Sequence, residues 1–347
     1  MRVVVLGATG NVGSAVVRAL VDDPAVDSVV GVARRMPLPE MVDATPTVEW
    51  CVDDIERDAL DFVAGADVVV HLAWKIQPSH DEPQMRGTNI VGTRRVIDAV
   101  VAHRVPALVY ASSVGAYGPG PKERVAESHP ATGIASSTYS RHKAEVEAML
   151  DAVEAAEPWL RIVRMRTSLV FQRAAASEIH RLFLGPLLPW HLPRALRIVP
   201  RIQRLEFQAT HADDVADAYR RAVVGSAVGA FNIAAEPVLT VRKIAEAVDG
   251  RPIPVPRQVV RAAAAVTHRL RLQPCEPGWL DMATDTPLMD VSRAQRELGW
   301  SATRSSIDAL RELLDGIGEG AGAATQPLQP RRRHVRRWAR RHAAHRT

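Results

Sequence analysis

Val3-Val4-Val5-Leu6-Gly7-Ala8-Thr9-Gly10-Asn11-Val12-Gly13 decides how the rest of this 347-residue chain is read. Its apolar, β-branched start has the length of a parallel strand covered on both faces. Val12, Val16 and Leu20 then recur at helical spacing. The period changes at the glycines. Gly7 permits a tight turn, Gly10 lets backbone approach a pyrophosphate with no Cβ in the way, and Gly13 lets the helix lie close on the strand. The helix start, with Thr9, Asn11 and Val12 around it, offers unpaired N–H groups and the positive end of the helix dipole to phosphate. The expectation is an α/β fold with a doubly wound parallel sheet and a dinucleotide on this turn.

Working outward, Ser28 to Ala33 reads as the second strand and runs into Arg34-Arg35. An acidic residue at this strand end selects NAD by accepting hydrogen bonds from the ribose, whereas guanidinium groups suit a 2′-phosphate. The cofactor expected is therefore NADP, with NAD the alternative. Thr47 to Val52 gives a third strand ending in Asp53-Asp54-Ile55, and Asp67 to Leu72 a fourth, leading into Ala73-Trp74-Lys75. Residues 84 to 103 read as one long helix carrying Asn89, with Ile90, Val91, Ile97, Val100 and Val101 towards the sheet. Ala107 to Ala111 is the fifth strand, and its end delivers Ser112-Ser113.

Tyr139 and Lys143 stand four apart on a helix expected to run to about residue 156, so their side chains share a face. A free phenol titrates near 10; acid/base work near neutrality needs that value lowered by about 3 units, roughly 4 kcal/mol. The Lys143 ammonium and the positive ring of an oxidised nicotinamide are the groups to supply it. Tyr139 would then take a proton from an alcohol as hydride leaves, or return it in reduction.

Taken in order, the Gly-x-x-Gly-x-x-Gly turn, Asp54-Ile55, the Asn89 helix, Ser112-Ser113 and Tyr139-x-x-x-Lys143 resemble the extended short-chain dehydrogenase/reductase family, which includes the nucleotide-sugar epimerases and dehydratases. The resemblance covers about residues 1 to 315, through Phe207 to Ala216 and Asp290 to Trp300. It implies a Rossmann-like sheet in which Asp54 and Ile55 hold the adenine and Leu72-Ala73 run beside the diphosphate. It also implies that His71 orders that loop, that Asn89 braces the site and that Lys143 holds the nicotinamide ribose. Ser113 would hydrogen-bond the reacting oxygen, and the helices carrying Asn89 and Tyr139 would pair in a homodimer.

Two departures bear on substrate. Val114-Gly115 follow Ser113 where the dehydratases carry an acidic pair, which argues against dehydration. Leu169 and Gln172 stand where the epimerases present an Asn and then a Gly, and a leucine cannot hydrogen-bond a diphosphate. The expected activity is thus hydride transfer between NADP(H) and a carbonyl or alcohol. An NAD-dependent nucleotide-sugar epimerase is the first alternative and a non-catalytic NADP-binding sensor or scaffold the second.

With 47% hydrophobic residues the chain can bury one large core or a core plus a smaller lobe. The division expected is a dinucleotide domain over 1–172 and a substrate lobe over 173–315, with strands near 207–211 and 229–233 returning to the main sheet. Residues 316–347 read as a Gly/Pro-rich linker and a disordered tail. Leu182 to Pro193 is apolar and Pro-rich and, with Trp74, Tyr117, Leu169 and Trp190, is a candidate wall for an apolar substrate; core packing or a dimer contact is the other reading. Arg194, Arg197, Arg201 and Arg204 leave an anionic substrate open.

The net charge of +5 rests on eight arginines after residue 330, so the folded body is mildly acidic. Any contact with nucleic acid or anionic lipid would belong to that tail. Two cysteines far apart, Cys51 and Cys275, suggest reduced thiols in a cytoplasmic protein, with no metal site among them. A first strand starting at Arg2 leaves no room for a signal peptide, and no apolar run approaches the roughly 20 residues that span a bilayer.

Overall fold

A computed structural model describes residues 1–76, 80–184 and 198–330. Seven strands form the main sheet: β1 (Arg2–Leu6), β2 (Ser28–Ala33), β3 (Val48–Val52), β4 (Val68–His71), β5 (Ala107–Tyr110), β6 (Arg161–Thr167) and β7 (Gly229–Ile233). Their order is β7-β6-β5-β4-β1-β2-β3, every pairing parallel. The order reverses between β1 and β4, so a crevice opens there at the carboxyl ends of the strands, next to the glycine turn.

Alternation along β1 feeds two cores. Val3 and Val5 pack with α1 (Asn11–Val21) on one face, while Val4 and Leu6 face α2 (Thr93–Ala102) and α3 (Thr138–Ala156) on the other. The first core is completed by α4 (Ala212–Val224), through Val215 and Tyr219, and by the buried Trp300. Trp300 donates its indole N–H to the Asp214 carbonyl, while the Asp214 carboxylate accepts from the backbone of Thr303 and Arg304. The two late segments of the resemblance thus tie the end of the chain to the first helix layer.

Three expectations change. The long helix is divided: a short helix, Glu82–Arg86, passes through a π-helical turn, Gly87–Gly92, into α2, and Val91 is left 51% exposed while Ile90, Ile97 and Val100 are buried. Gly229–Ile233 joins the main sheet as expected, but Ala209–His211 pairs instead with Leu169–Phe171 in a separate two-stranded ribbon. The last change concerns the linker. After α5 (Gly278–Asp285), helix α6 (Ser306–Glu319) ends at Gly320, whose φ of +64° makes a left-handed cap. The segment that follows is docked. The Ala321 carbonyl accepts from the backbone and hydroxyl of Ser177, the Ala324 carbonyl accepts from the Leu38 N–H, and Leu328 and Thr325 are fully buried. Gly/Ala/Pro composition reads as a linker, yet one leucine with a pocket to fill and a few carbonyl acceptors hold the segment down as a strap. No helix among the described residues is long and apolar enough to cross a membrane.

Candidate active site

The glycine turn is shaped by close approach. A Cβ on Gly7, at φ +80°, would stand 2.8 Å from the Ala73 nitrogen, and one on Gly13 would collide with the Gly7 carbonyl. Gly10 meets nothing nearer than 3.4 Å, so its missing side chain opens the cleft rather than relieving packing. The first turn of α1 has neither a side-chain cap nor an acidic residue, which leaves its N–H groups for an anion.

Beside it lies a cleft of ≈ 190 Å³ lined by Thr9 and Gly10, by Arg34 and Asp53 at the ends of β2 and β3, and by Leu72 to Lys75 after β4. Ile55 lines it as well. The Asp53 Oδ1 is buried without a partner among the described residues, and burial, helped by the nearby Asp58, raises its carboxyl to about 6. An orphan acceptor, a cradle without Cβ atoms and an uncapped helix start together fit an adenine dinucleotide.

Of the acidic pair it is Asp53, not Asp54, that reaches the cleft; the Asp54 carboxylate accepts from the Glu56 N–H. Arg34 lines the cleft, exposed and without a protein partner among the described residues, whereas Arg35 is not on its wall. Asn11 turns its amide away, to the Val170 carbonyl at 2.9 Å, and its own oxygens accept from Gln172. Val12 packs at the edge of the first core. Asn89 is fully buried and exchanges two 2.8 Å hydrogen bonds with the backbone of Lys75, bracing the loop without lining the cleft. His71 bonds the Thr93 hydroxyl at 2.9 Å, and burial drives its imidazole down to about 3, so it is a neutral spacer.

Sequence reasoning passed over Glu178 and Pro327, which also line the cleft. Pro327 belongs to the strap, and nothing in a linker-like composition signals such a role. Burial raises the Glu178 carboxyl to about 7.

Ser113, Tyr139 and Lys143 come together across the carboxyl end of β5. Burial pushes the Tyr139 phenol up to about 12, and its hydrogen bond with Ser113 pulls the other way. Lys143 is 3% exposed, donates to the Ala111 carbonyl at 2.6 Å, and sits 3.5 Å from the Trp74 ring centroid and 5.8 Å from that of Tyr139. Burial draws its ammonium well below its usual range, and only the Glu147 charge opposes that. Tyr139 itself lies between Trp74, edge-on at 6.0 Å, and Trp279 at 5.0 Å; Phe183 in turn meets Trp279 edge-on at 5.0 Å. The Tyr139 phenol is thus set in an aromatic surround.

Behind Ser113 the neighbouring Ser112 hydroxyl donates to Glu147 at 2.5 Å, and that carboxylate, 1% exposed, is held by Arg166 and by Arg164 at 3.0 Å. This network also explains Tyr117, which is no substrate residue. It is fully buried, donates to Asn232 at 2.7 Å and accepts from Arg166.

Leu169 does line a second cavity, of ≈ 110 Å³, together with Val114, Phe207 and Met282. Tyr139 is not on that wall; the Met282 Sδ, which is, and the Tyr139 Cε1 both lie 2.9 Å from where a Cβ on Gly115 would stand. Trp190, Arg194 and Arg197 lie outside the described residues, as does the arginine-rich tail. Arg204 spends its guanidinium on the Thr284 and Gly120 carbonyls.

A parallel sheet that reverses its order beside an uncapped helix start defines a Rossmann-type dinucleotide-binding protein. The chain belongs to the NAD-dependent epimerase/dehydratase family, a family of oxidoreductase and epimerase enzymes, whose model matches residues 3–234. It is 28% identical over 338 residues to an uncharacterised protein of Mycobacterium bovis, an alignment covering 94% of this chain and 32% of that protein. The chain therefore spans about a third of the length of that curated relative. Among solved structures it is similar in fold to a dTDP-glucose 4,6-dehydratase from Streptomyces venezuelae with NAD bound (TM-score 0.70, 21% identity, 95% of this chain and 100% of that one). It is also similar to a UDP-glucuronic acid 4-epimerase from Bacillus cereus in complex with NAD (TM-score 0.69, 19% identity, 92% and 99%).

Proposed function

We propose that this protein is an NADP-dependent oxidoreductase that interconverts a carbonyl and an alcohol, with Tyr139 as the acid/base. The observation that carries the reading is the Ser113–Tyr139–Lys143 group, with Lys143 over Trp74 on the wall of the dinucleotide cleft and Tyr139 close to Met282 on the wall of a mainly apolar cavity. A bound nicotinamide dinucleotide supplies the hydride acceptor or donor. Thr9, Gly10, Asp53 and Ile55 line the space for it, and the unpartnered Arg34 suits a 2′-phosphate, which supports NADP.

In oxidation the Tyr139 oxygen takes the substrate hydroxyl proton; in reduction it gives that proton back. The Ser113 hydroxyl, already paired with the phenol, holds the reacting oxygen beside it. Because burial leaves the phenol near 12 even with the Ser113 hydrogen bond pulling the other way, its work depends on positive charge brought close, and Lys143 is the chain's own contribution. The aromatic surround keeps water from the reacting atoms. Leu169 on the wall argues against a diphosphate-bearing substrate, and the absence of an acid directly after Ser113 argues against dehydration.

A second reading, transient oxidation by a nucleotide-sugar epimerase, draws on the strap, because a covered cleft suits a dinucleotide that stays bound through turnover. In either reading the helices carrying Asn89 and Tyr139 pair across a twofold axis, and the exposed Val91 is a side chain such a pairing would cover. The test is steady-state absorbance with added NADPH and a carbonyl panel. Net, continuing consumption supports the oxidoreductase, and product formation with no net consumption supports the epimerase. Parallel calorimetric titrations with NAD and NADP settle the cofactor, and light scattering the dimer.

A further inference from the structure

We propose that the cavity beside Tyr139 takes the apolar body of a small substrate that also carries a carboxylate, and that Lys122 is the residue that holds the carboxylate. The inference rests on the oxidoreductase reading and names its substrate class. Lys122 lines the ≈ 110 Å³ cavity, whose wall is otherwise mainly apolar. Most polar side chains on that wall are already spent. Gln208 is used at both ends by the backbone of Met289, at 3.2 and 2.8 Å. The Ser168 hydroxyl is shared with Thr210 at 2.7 Å, and the Thr286 hydroxyl donates to the Met282 carbonyl at 2.8 Å.

Lys122 is different. Its ammonium has three N–H donors, and two go to the carbonyls of Glu206 and Ala283, at 2.9 and 2.8 Å. The third has no partner among the described residues, and no carboxylate there forms an ion pair with it. Glu206 and Asp285 attract it from a distance and Arg204 repels it; Asp285 is occupied by Arg257. The other free group on the wall, the Glu206 carboxylate, can accept but not donate. A half-buried ammonium with a spare donor, facing apolar walls, is matched by an anion. Burial, with Arg204, has already brought it down to about 8, which an arriving carboxylate would reverse. The Tyr139 ring is off the cavity wall but close to it: its Cε1 and the Met282 Sδ on that wall both lie 2.9 Å from where a Cβ on Gly115 would stand, so the proposed substrate extends from Lys122 past Met282 toward the phenol.

The test compares the keto acids levulinate and benzoylformate with their methyl esters. With the native enzyme and NADPH, kcat/KM should favour each acid by roughly tenfold or more. Lys122→Met should erase that preference chiefly through KM while kcat for the esters stays level, and Lys122→Arg should restore part of it. Binding is followed separately, without turnover, by quenching of the emission of Trp74 and Trp279 in Tyr139→Phe protein, with and without Lys122→Met. Acid-selective quenching that needs Lys122, together with native protein that oxidises no NADPH with any carbonyl offered, would sink the oxidoreductase reading and leave this site standing. Equal handling of acids and esters, a preference that survives Lys122→Met, or no binding of either acid overturns the proposal. Because native enzyme alone already separates acids from esters, a misfolded variant does not rescue or sink it.

Discussion

The dinucleotide cleft and the proposed substrate cavity are built from different materials. On the dinucleotide side the decisive features belong to backbone: a glycine turn, an uncapped helix start and strand ends, with Arg34 and Asp53 as the few side chains that add selectivity. On the substrate side almost everything is side chain, drawn from Val114, Leu169, Phe207 and Met282, which are far apart in the chain. Backbone geometry tolerates sequence change, so the first suits a general ligand; a wall of side chains can be rewritten one residue at a time, so under the proposed function the second is where substrate selectivity would be set.

The contrast is tested most sharply at the Tyr139 phenol. Tyr139→Phe should lower kcat/KM by about 10²–10⁴-fold and leave the dinucleotide Kd nearly unchanged. Undiminished turnover would remove Tyr139 from the chemistry. Next in size is the support beneath Ser112. Glu147→Ala leaves Arg164 and Arg166 buried without their shared carboxylate, and loss of one partner of a buried ion pair costs about 3–5 kcal/mol. Thermal or urea unfolding should register a loss of that order, and an unchanged midpoint would show the network to be dispensable.

On the dinucleotide side, Arg34→Ala should weaken NADP by about tenfold, as for loss of one charge-assisted contact, with NAD unaffected and Arg35→Ala nearly silent. A native enzyme that prefers NAD would end this use of Arg34. The smallest effect is a pH dependence. Asp53 is raised from 3.8 to about 6 in the folded chain, so the stability it contributes is fully present below 3.8 and is lost as pH rises through 6. Asp53→Asn should flatten that part of a Tm-against-pH curve, and Asp54→Asn should not.

How far the sequence could be read follows the same division. The glycine turn, the strands β1 to β5, and the Tyr139–Lys143 pair were legible because each depends on spacings of a few residues. Asp53 against Asp54 was not, since neighbouring residues at a strand end face opposite ways and the register is fixed by the bond from the Asp53 N–H to the Ala33 carbonyl. Tyr117 looked available for substrate because its partners, Arg166 and Asn232, are 49 and 115 residues away. Lys122 gave no local signal either: its carbonyl partners are 84 and 161 residues on. Val91 failed for a different reason, since a regular helical period does not anticipate the wide turn at Gly87–Gly92.

The docked segment after Gly320 has a practical side. Pro327 borders the dinucleotide cleft, Leu328 is its buried peg, and Arg181 donates to the Pro327 and Gln329 carbonyls. A fusion placed directly after residue 330, whether a purification handle or a reporter, would therefore start a few residues from Pro327 on the cleft wall. An amino-terminal handle is the safer choice for any measurement of nucleotide exchange.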